Sequence, residues 1–330
     1  MHLLRCFLML AAVSVSLHAD TLLVANRGGS TVTLIDPATM TPLGTVSVGF
    51  DPHEIAVTRD GRRAYVSNYG NGQGTTLSVI DIAARTKVKD VSIAPLKGPH
   101  GIVERNGKIW FTAEGSQSVG RYDPVADRVD WVGRTNQPQT HMLAVNRAGD
   151  TVYTANISAH SASVIPVTGS ESAARSTIPT VVRSEGIALS PDERELWIGS
   201  ASTGGIAIVD VATETVDAFI APGAFAYRLT FTSDGRSVLV PRQQTVVVYD
   251  AATRTQVRAI PAGGTVLSVM VAPGDRIAYV AMVNPSRVIK LDLETQQILG
   301  SIAVAPTPDG LALAVPPPPG SNKKRRSVRS

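Results

Sequence analysis

Three of the four histidines between residues 20 and 315 stand at one place in a repeated segment. Each lies two residues before the apolar centre of a short strand-like run. Across the repeats this position is occupied by His53, His100, His141, Glu185, Tyr227, Leu267 and Asp309. Imidazole together with carboxylate is the ligand set of zinc, copper and non-haem iron sites. Without a metal, one histidine could act as a general base beside Glu185 or Asp309.

A repeat of about 42 residues positions these side chains. Its clearest part is a run of the Tyr-Val-Ser-Asn type, with successive copies 40 to 45 residues apart. The copies are LVAN (23–26), YVSN (65–68), WFTA (110–113), YTAN (153–156), WIGS (197–200), LVPR (239–242) and YVAM (279–282). A second apolar run follows each copy, and six of the seven end in an Asp that is expected to cap a turn, with Pro166 as the exception.

The repeats predict an all-β fold, a seven-bladed β-propeller with four antiparallel strands per blade. Four short strands rich in Val, Ile and Thr, separated by hairpin turns, are typical of a propeller blade. Seven copies fill residues 20–315 and leave no room for a second domain. Because the chain enters at a second strand near Leu22 and leaves at a first strand, 311–315, N- and C-terminal strands must share one blade.

In a propeller, the loops into the innermost strands and those between second and third strands open on one face, around the channel. We therefore predict a ligand site at this rim, with Glu114, His160 and Arg242 on the neighbouring loops. The predicted ligand-binding set is His53, His100, His141, Glu185, Tyr227, Asp309, Glu114, His160 and Arg242. Leu267 adds nothing polar. We assign no role to Trp131, which precedes a blade end and could be exposed.

Two chemical interpretations of the rim stay open beside plain binding. A divalent metal ion is the candidate cofactor, held by His53, His100, His141 and Glu185. The candidate catalytic residues are His100, His141 and Glu185. The alternative is structural, because a histidine in a Pro-His-Gly segment can simply hydrogen-bond the backbone of the neighbouring blade.

The motifs YVSN and YTAN, with the paired VID segments, resemble the YVTN repeat family of seven-bladed propellers. The resemblance covers the whole body of the chain and implies an exported bacterial or archaeal surface protein. One blade, GPHGIVERNGKIWFTAEGSQSVGRYDP, is similar to the repeats of virginiamycin B lyase. A weaker resemblance is to propeller-type phosphogluconolactonases. These families differ in activity, so the resemblance implies the architecture and leaves the chemistry open.

Composition and charge limit the remaining classes. The 330 residues are 43% hydrophobic and 18% charged, and their single Cys excludes a disulfide scaffold, a zinc ribbon and a thioredoxin motif. Residues 1–19 have the layout of a signal peptide with cleavage after Ala19, which predicts a periplasmic or secreted protein. No later apolar run is long enough for a transmembrane segment.

The basic character of the chain lies in its ends. Setting aside six basic residues in the leader and the tail leaves 25 basic and 27 acidic residues. The tail, 316–330, is Pro-rich and basic and is expected to be disordered. It is either a solvated end or an attachment to an anionic envelope or nucleic acid.

Three functions follow from these observations. The primary hypothesis is an exported monomer that binds a ligand or partner, whether protein, glycan or small molecule, at the rim. The second is a metal-assisted lyase or lactonase that uses the same histidines and Glu185. The third is a scaffold that binds the envelope or, less favoured, nucleic acid through its tail.

Overall fold

The computed structural model describes residues 20–221 and 223–317. The predicted signal peptide, 1–19, lies outside the described residues, as does the predicted tail apart from its first two residues. Between these limits the chain forms seven sheets arranged as a ring, each built on four antiparallel strands, with a fifth, parallel strand added to one of them. The prediction of a seven-bladed β-propeller is confirmed.

Most of the described chain lies in 29 strands. Blade 1 contains β1 (Thr21–Asn26), β2 (Thr31–Asp36) and β3 (Thr41–Ser47). Blade 2 contains β4 (Pro52–Val57), β5 (Arg63–Asn68), β6 (Thr76–Asp81) and β7 (Thr86–Ser92). Blade 3 contains β8 (Pro99–Arg105), β9 (Lys108–Ala113), β10 (Ser118–Asp123) and β11 (Arg128–Arg134). Blades 4 and 5 contain β12 (Thr140–Val145), β13 (Thr151–Asn156), β14 (Ser161–Pro166) and β16 (Ser176–Pro179); and β17 (Ser184–Leu189), β18 (Glu195–Ser200), β19 (Ile206–Asp210) and β20 (Thr215–Ile220).

Blades 6 and 7 contain β21 (Thr230–Phe231), β22 (Ser237–Arg242), β23 (Thr245–Asp250) and β24 (Thr255–Pro261); and β25 (Thr265–Val271), β26 (Ile277–Asn284), β27 (Ser286–Asp292) and β28 (Ile298–Ala303). Two 3-10 turns, Arg27–Gly29 and Glu114–Ser116, follow second strands. The last strand, β29 (Pro308–Ala314), returns to blade 1 as its innermost strand and pairs antiparallel with β1, Leu22 opposite Leu313. Closure by N- and C-terminal strands in one blade is thereby confirmed.

The core lies between the blades. Seven clusters of buried side chains each join two neighbouring sheets, one cluster at every blade interface. Tyr65 and Phe111, for example, meet between blades 2 and 3. First, second and third strands are therefore buried on both faces, while fourth strands such as β7 are mainly exposed. Burial on both faces explains the nearly continuous apolar runs of the repeat.

The repeated polar residues serve the blades themselves. The Asn that ends a second strand is buried and donates from Nδ2 to hydroxyls of the third strand, as Asn68 does to Thr76 (2.9 Å) and Ser78 (3.0 Å). The Asp that ends a third strand accepts from backbone N–H groups of the following turn, as Asp210 does from Thr213 at 2.7 Å. The turn-capping role predicted for these Asp residues is confirmed.

One blade departs from the expected pattern. After β14, which ends at Pro166, the chain forms the short strand β15 (Glu171–Ala173), which pairs parallel with β11 and gives blade 3 a fifth strand. Trp131 on β11 is only 1% exposed, and its indole N–H contacts Ser172 Oγ on β15 at 3.3 Å. The interpretation of Trp131 as a residue that could be exposed was wrong, because β15 covers it. Within the described residues, no helix is long and apolar enough to cross a membrane.

Candidate functional site

Bulges at the start of the innermost strands aim side chains toward the channel. The pairing of first with second strand shifts register at this point in six blades, for instance between Pro52 and Ile55 in β4 and between Pro99 and Ile102 in β8. A bulge inserts an extra residue, bends the strand and redirects the side chains beside it. The residues that follow each entering loop are therefore presented at one end of the channel, which we call the rim.

Glycines bring the rim residues of adjacent blades together. A Cβ on Gly310, which follows Asp309, would lie 2.4 Å from the carbonyl oxygen of His53. A Cβ on Gly101, which follows His100, would lie 3.0 Å from the carbonyl oxygen of His141. Only glycine allows these backbones to approach so closely, and neighbouring rim side chains come into contact as a result.

The three predicted histidines form one stack. The ring centroid of His100 lies 4.1 Å from that of His53 and 3.7 Å from that of His141. All three are buried, and His100 is only 1% exposed. Tyr69, from the loop after β5, lies edge-on against His53 at 4.7 Å. The prediction that these imidazoles meet about the channel axis agrees with this geometry.

Carboxylates flank His53 on both sides. Its Nδ1 lies 3.2 Å from Asp309 Oδ2, and its Nε2 lies 3.4 Å from Asp51 Oδ1. These contacts are ion pairs, since neither ring nitrogen has hydrogen-bond geometry to a partner. Arg27 closes the group from the solvent side, with Nε 3.2 Å from Asp51 Oδ1.

His141 has the same kind of surroundings. Its Nδ1 lies 3.7 Å from Glu114 Oε1 and its Nε2 lies 3.5 Å from Glu185 Oε1. Both are ion-pair contacts without hydrogen-bond geometry, and Glu114 Oε2 is also buried without a partner. Burial and the nearby Glu114 carboxylate raise the pKa of Tyr69. The two outer histidines of the stack are therefore each held between two acids.

Arg228 joins the two acidic groups across the channel. Its Nη2 lies 3.2 Å from Asp309 Oδ1, and its Nη1 lies 3.6 Å from Glu185 Oε1. The side chains thus form a closed circuit, which we call the rim ring: His53, His100, His141, Glu185, Arg228 and Asp309. Six of the seven blades contribute one member each, and blade 7, with Leu267, contributes none.

The ring sets different proton affinities for its histidines. Burial alone would lower the pKa of His53, but Asp309 and Asp51 outweigh it and raise that pKa above its usual value. Burial would also lower the pKa of His141, but the carboxylates of Glu114 and Glu185 outweigh this effect and raise that pKa. The pKa of His100 is held well below its usual value by burial and by the two neighbouring imidazoles. A neutral imidazole therefore lies between two that are easily protonated.

The charged partners of the histidines are stabilised in their ionised forms. Although burial opposes ionisation, Arg228 and His53 lower the pKa of Asp309 to about 2. For Asp51, burial is again outweighed, by His53 and Arg27, and the pKa falls to about 2. Burial disfavours the charge on Arg228, but Glu54, Asp309 and Glu185 together raise its pKa. The rim is thus an array of alternating charges with little access to water.

This arrangement does not fit a metal ion. Both ring nitrogens of His53 and both of His141 face carboxylate oxygens at 3.2–3.7 Å, so neither ring has a nitrogen left for a metal. Across the described ranges, no group of three His, Asp or Glu side chains is placed to hold a metal. The metal hypothesis for His53, His100, His141 and Glu185 stays a prediction, and no chemistry is derived through a metal below.

The other predicted residues lie around the ring. Tyr227 is half-buried beside Glu185, and its ring centroid lies 5.3 Å from that of Phe225. Tyr227 is not part of the rim ring, in which the next residue, Arg228, represents blade 6. His160 is exposed and bonds within its own loops, its Nδ1 accepting from Arg183 N at 2.9 Å. Arg242 is buried and donates from Nη1 to Gly204 O at 2.7 Å. The structure therefore brings Glu114 into contact with the ring, and gives His160 and Arg242 contacts elsewhere on that face.

Sequence reasoning missed Arg228, Glu54 and Asp51. Arg228 and Glu54 stand one place after the aligned position, where the other blades carry Gly101, Met142, Gly186, Ser268 and Gly310. A single base and a single acid at one repeat position are a signal that could have identified this pair. Asp51 lies in the entering loop, two residues before His53, outside the aligned column.

Comparisons with known proteins define the class by fold. No protein-family model matches the chain, and no curated protein matches it in sequence. Among solved structures, it is similar to a periplasmic gluconolactonase of Pseudomonas aeruginosa, with a TM-score of 0.71, 19% identity, and coverage of 90% of this chain and 99% of that one. It is also similar to a protein of unknown function from Desulfotomaculum acetoxidans (TM-score 0.76, 13% identity, 90% and 99% covered).

A third similar structure is the hydrazine synthase of Kuenenia stuttgartiensis, with a TM-score of 0.69, 17% identity, and coverage of 87% of this chain and 93% of that one. At these identities the likenesses establish a seven-bladed propeller and nothing about activity. Membership of the YVTN repeat family stays a prediction.

Proposed function

We propose that this protein is an exported propeller of the YVTN type that binds a small hydroxylated ligand, of the sugar or sugar-lactone class, at the rim. The observation that carries the proposal is a set of buried polar atoms that make no hydrogen bond of standard geometry within the described residues. They are Glu114 Oε2 and both ring nitrogens of His53 and of His141, and each of these nitrogens lies 3.2–3.7 Å from a carboxylate oxygen. Buried polar atoms in folded proteins are nearly always paired. Donors and acceptors gathered in one place are what a ligand with several hydroxyl groups requires.

An apolar collar around the ring supports the same ligand class. Phe50, Val182 and Phe225 stand three residues before His53, Glu185 and Arg228, in loops that enter the innermost strands. Phe50 is 63% exposed, Val182 51% and Phe225 40%. Sugar rings combine an apolar C–H face with hydroxyl groups, so the collar would contact the first and the ring the second.

Lactone hydrolysis is the second candidate function. Its candidate base is His141, which has to exchange one of its two carboxylate neighbours, Glu114 or Glu185, for a water molecule. The imidazole then accepts a proton from that water while the water attacks the lactone carbonyl. The acyl C–O bond then breaks, and the imidazolium returns its proton to the leaving alkoxide. The gluconolactonase of Pseudomonas aeruginosa shares the fold.

Two probes separate these functions. Binding is measured by calorimetry with 1,5-anhydro-D-glucitol, which has no bond to hydrolyse, and turnover by pH-stat with D-glucono-1,5-lactone. His141→Gln and Phe225→Ala should each weaken binding about tenfold, since each removes a direct contact. His160→Gln and Phe219→Ala are matched controls, a histidine outside the ring and an exposed phenylalanine on β20, and should leave binding unchanged.

Absence of binding and of turnover by the wild type with either probe would refute the proposed ligand class. Turnover that His141→Gln abolishes would favour the lactonase, and binding without turnover would favour a binding protein. Export is tested separately. Expression of the full chain with its leader, followed by N-terminal sequencing of the periplasmic fraction, should give Asp20 as the first residue. Retention of the leader would contradict export.

A further inference from the structure

A cavity lies away from the rim, between the later halves of the innermost strands β8, β12, β17 and β21. Its volume is about 450 Å³. From His141 at the rim to Val145 on its wall the strand advances about 13 Å. The two sites therefore share strands but no side chains.

The walls of this cavity expose both polar and apolar atoms. The apolar side chains among them are Val103, Leu143, Ile187, Leu189, Leu229 and Phe231. Leu189, Val103 and Phe231 are only partly buried, so apolar surface is available to a bound molecule. Covering such surface is favourable by about 25 cal/mol per Å².

The mouth of the cavity carries two arginines without acidic partners. Arg105 and Arg147 line it, and among the described residues neither guanidinium lies within ion-pair distance of a carboxylate. Arg105 Nε is buried with no hydrogen-bond partner there, while Arg147 Nη2 donates to the carbonyl of Pro191 at 2.8 Å. Glu193, the acid in the lining, accepts instead from the backbone N–H of Arg147.

We propose that this cavity binds an amphipathic anion, a monocarboxylate with an aliphatic or aromatic body. The apolar side chains of the walls take the body, and the guanidinium groups of Arg105 and Arg147 take the carboxylate through charge-assisted hydrogen bonds. A buried Nε without a partner is satisfied by such a ligand and not by an apolar one. The proposal is independent of the rim, since none of the ring residues lines the cavity.

The test is calorimetric titration of the full-length protein with sodium octanoate below its micellar concentration, with octan-1-ol as the uncharged probe. Octanoate should bind, and octan-1-ol should bind at least about tenfold more weakly. Arg105→Gln and Arg147→Gln should each weaken octanoate binding by about tenfold or more, and Arg105→Lys should weaken it less. Circular dichroism confirms that each variant is folded.

Arg59→Gln is the matched control. Arg59 lies two residues after the end of β4, as Arg147 does after the end of β12, yet it does not line the cavity. This variant should bind octanoate as the wild type does. The proposal is overturned if the wild type does not bind octanoate, if octan-1-ol binds equally well, or if Arg59→Gln weakens binding as much as Arg105→Gln.

Discussion

Arg228 Nη2 lies 2.5 Å from Glu54 Oε1, and the two residues are 174 positions apart in the chain. Glu54 belongs to β4 in blade 2, and Arg228 lies just before β21 in blade 6, so this bond crosses the channel. A second bond, from Arg228 Nε to the same oxygen at 3.0 Å, fixes the guanidinium. Their side chains are only 12% and 11% exposed. The pair ties opposite sides of the ring together.

We predict that breaking this pair destabilises the whole propeller. Arg228→Met should lower the free energy of unfolding by about 3 kcal/mol, because it leaves Glu54, Glu185 and Asp309 buried without this cation. Glu54→Gln should cost less, because Arg228 keeps Asp309 and Glu185 as partners. In a double-mutant cycle measured by urea unfolding, the coupling energy should be about 1–3 kcal/mol. The exposed pair Arg134 and Glu171, with side chains 56% and 54% exposed, is the control and should couple by less than about 1 kcal/mol. Equal coupling in the two pairs would contradict the prediction.

The histidine stack predicts a loss of stability as the solution becomes alkaline. The pKa values of His53 and His141 are raised in the folded protein, so between the unfolded value, about 6.5, and each folded value the native state holds the extra proton. The stabilisation is complete below about pH 6.5 and is lost as the pH rises through the folded pKa. Thermal unfolding from pH 6 to pH 9 should show a steeper decline for the wild type than for His53→Gln or His141→Gln.

His100 should act in the opposite direction. The pKa of His100 is lowered in the folded protein. Below about pH 6.5 this imidazole therefore binds a proton in the unfolded chain but stays neutral in the native state. Stability therefore falls as the pH drops from about 6.5 toward the folded pKa of His100. His100→Phe should remove this part of the acid decline. If His100→Phe lost stability below pH 6.5 as steeply as the wild type does, this role of His100 would be contradicted.

The repeat alone predicted much of the architecture and part of the site. Because the strand-turn pattern recurs at 40 to 45 residues, the blade number, the closure and the shared level of His53, His100, His141 and Asp309 could all be predicted. Arg228 and Glu54 were missed because one channel-facing residue per strand was assumed. The bulge in β4 in fact turns two consecutive residues, His53 and Glu54, toward the centre.

Two other features had no local signal. The strand β15 depends on a parallel pairing with the edge of the preceding blade, which no alternation within residues 171–173 indicates. The tilted contact of His100 with His141, with 35° between the ring planes, depends on how closely β8 approaches β12, which Gly101 permits but does not determine. A shared repeat position fixes the level of a side chain along the channel and leaves its orientation open.

Gly310 should be indispensable for closing the ring. A Cβ there would lie 2.4 Å from His53 O and 2.7 Å from Glu54 Cα, both fixed parts of β4. Gly310→Ala should therefore force β29 away from β4 and lower the free energy of unfolding by about 2 kcal/mol or more. Gly44→Ala is the matched control, since its nearest neighbour would be an Arg85 side-chain atom at 3.7 Å. Equal melting temperatures for Gly310→Ala and Gly44→Ala would show that β29 and β4 can accommodate a methyl group at residue 310.

The Asn that ends the second strand should stabilise the blade through the N–H groups of its side-chain amide. Substitution by Asp removes these donors and keeps the rest of the side chain. Asn68 Nδ2 donates to Thr76 and Ser78, while its Oδ1 accepts from Gly49 N at 3.1 Å. Asp keeps the shape and the acceptor but cannot donate, and the residue is 3% exposed. Asn68→Asp should lower the free energy of unfolding in urea by about 2 kcal/mol or more, at least as much as Asn68→Ala, because it also buries a charge among hydroxyls. If Asn68→Asp were as stable as the wild type at pH 7, the amide donor could not be what joins the second and third strands.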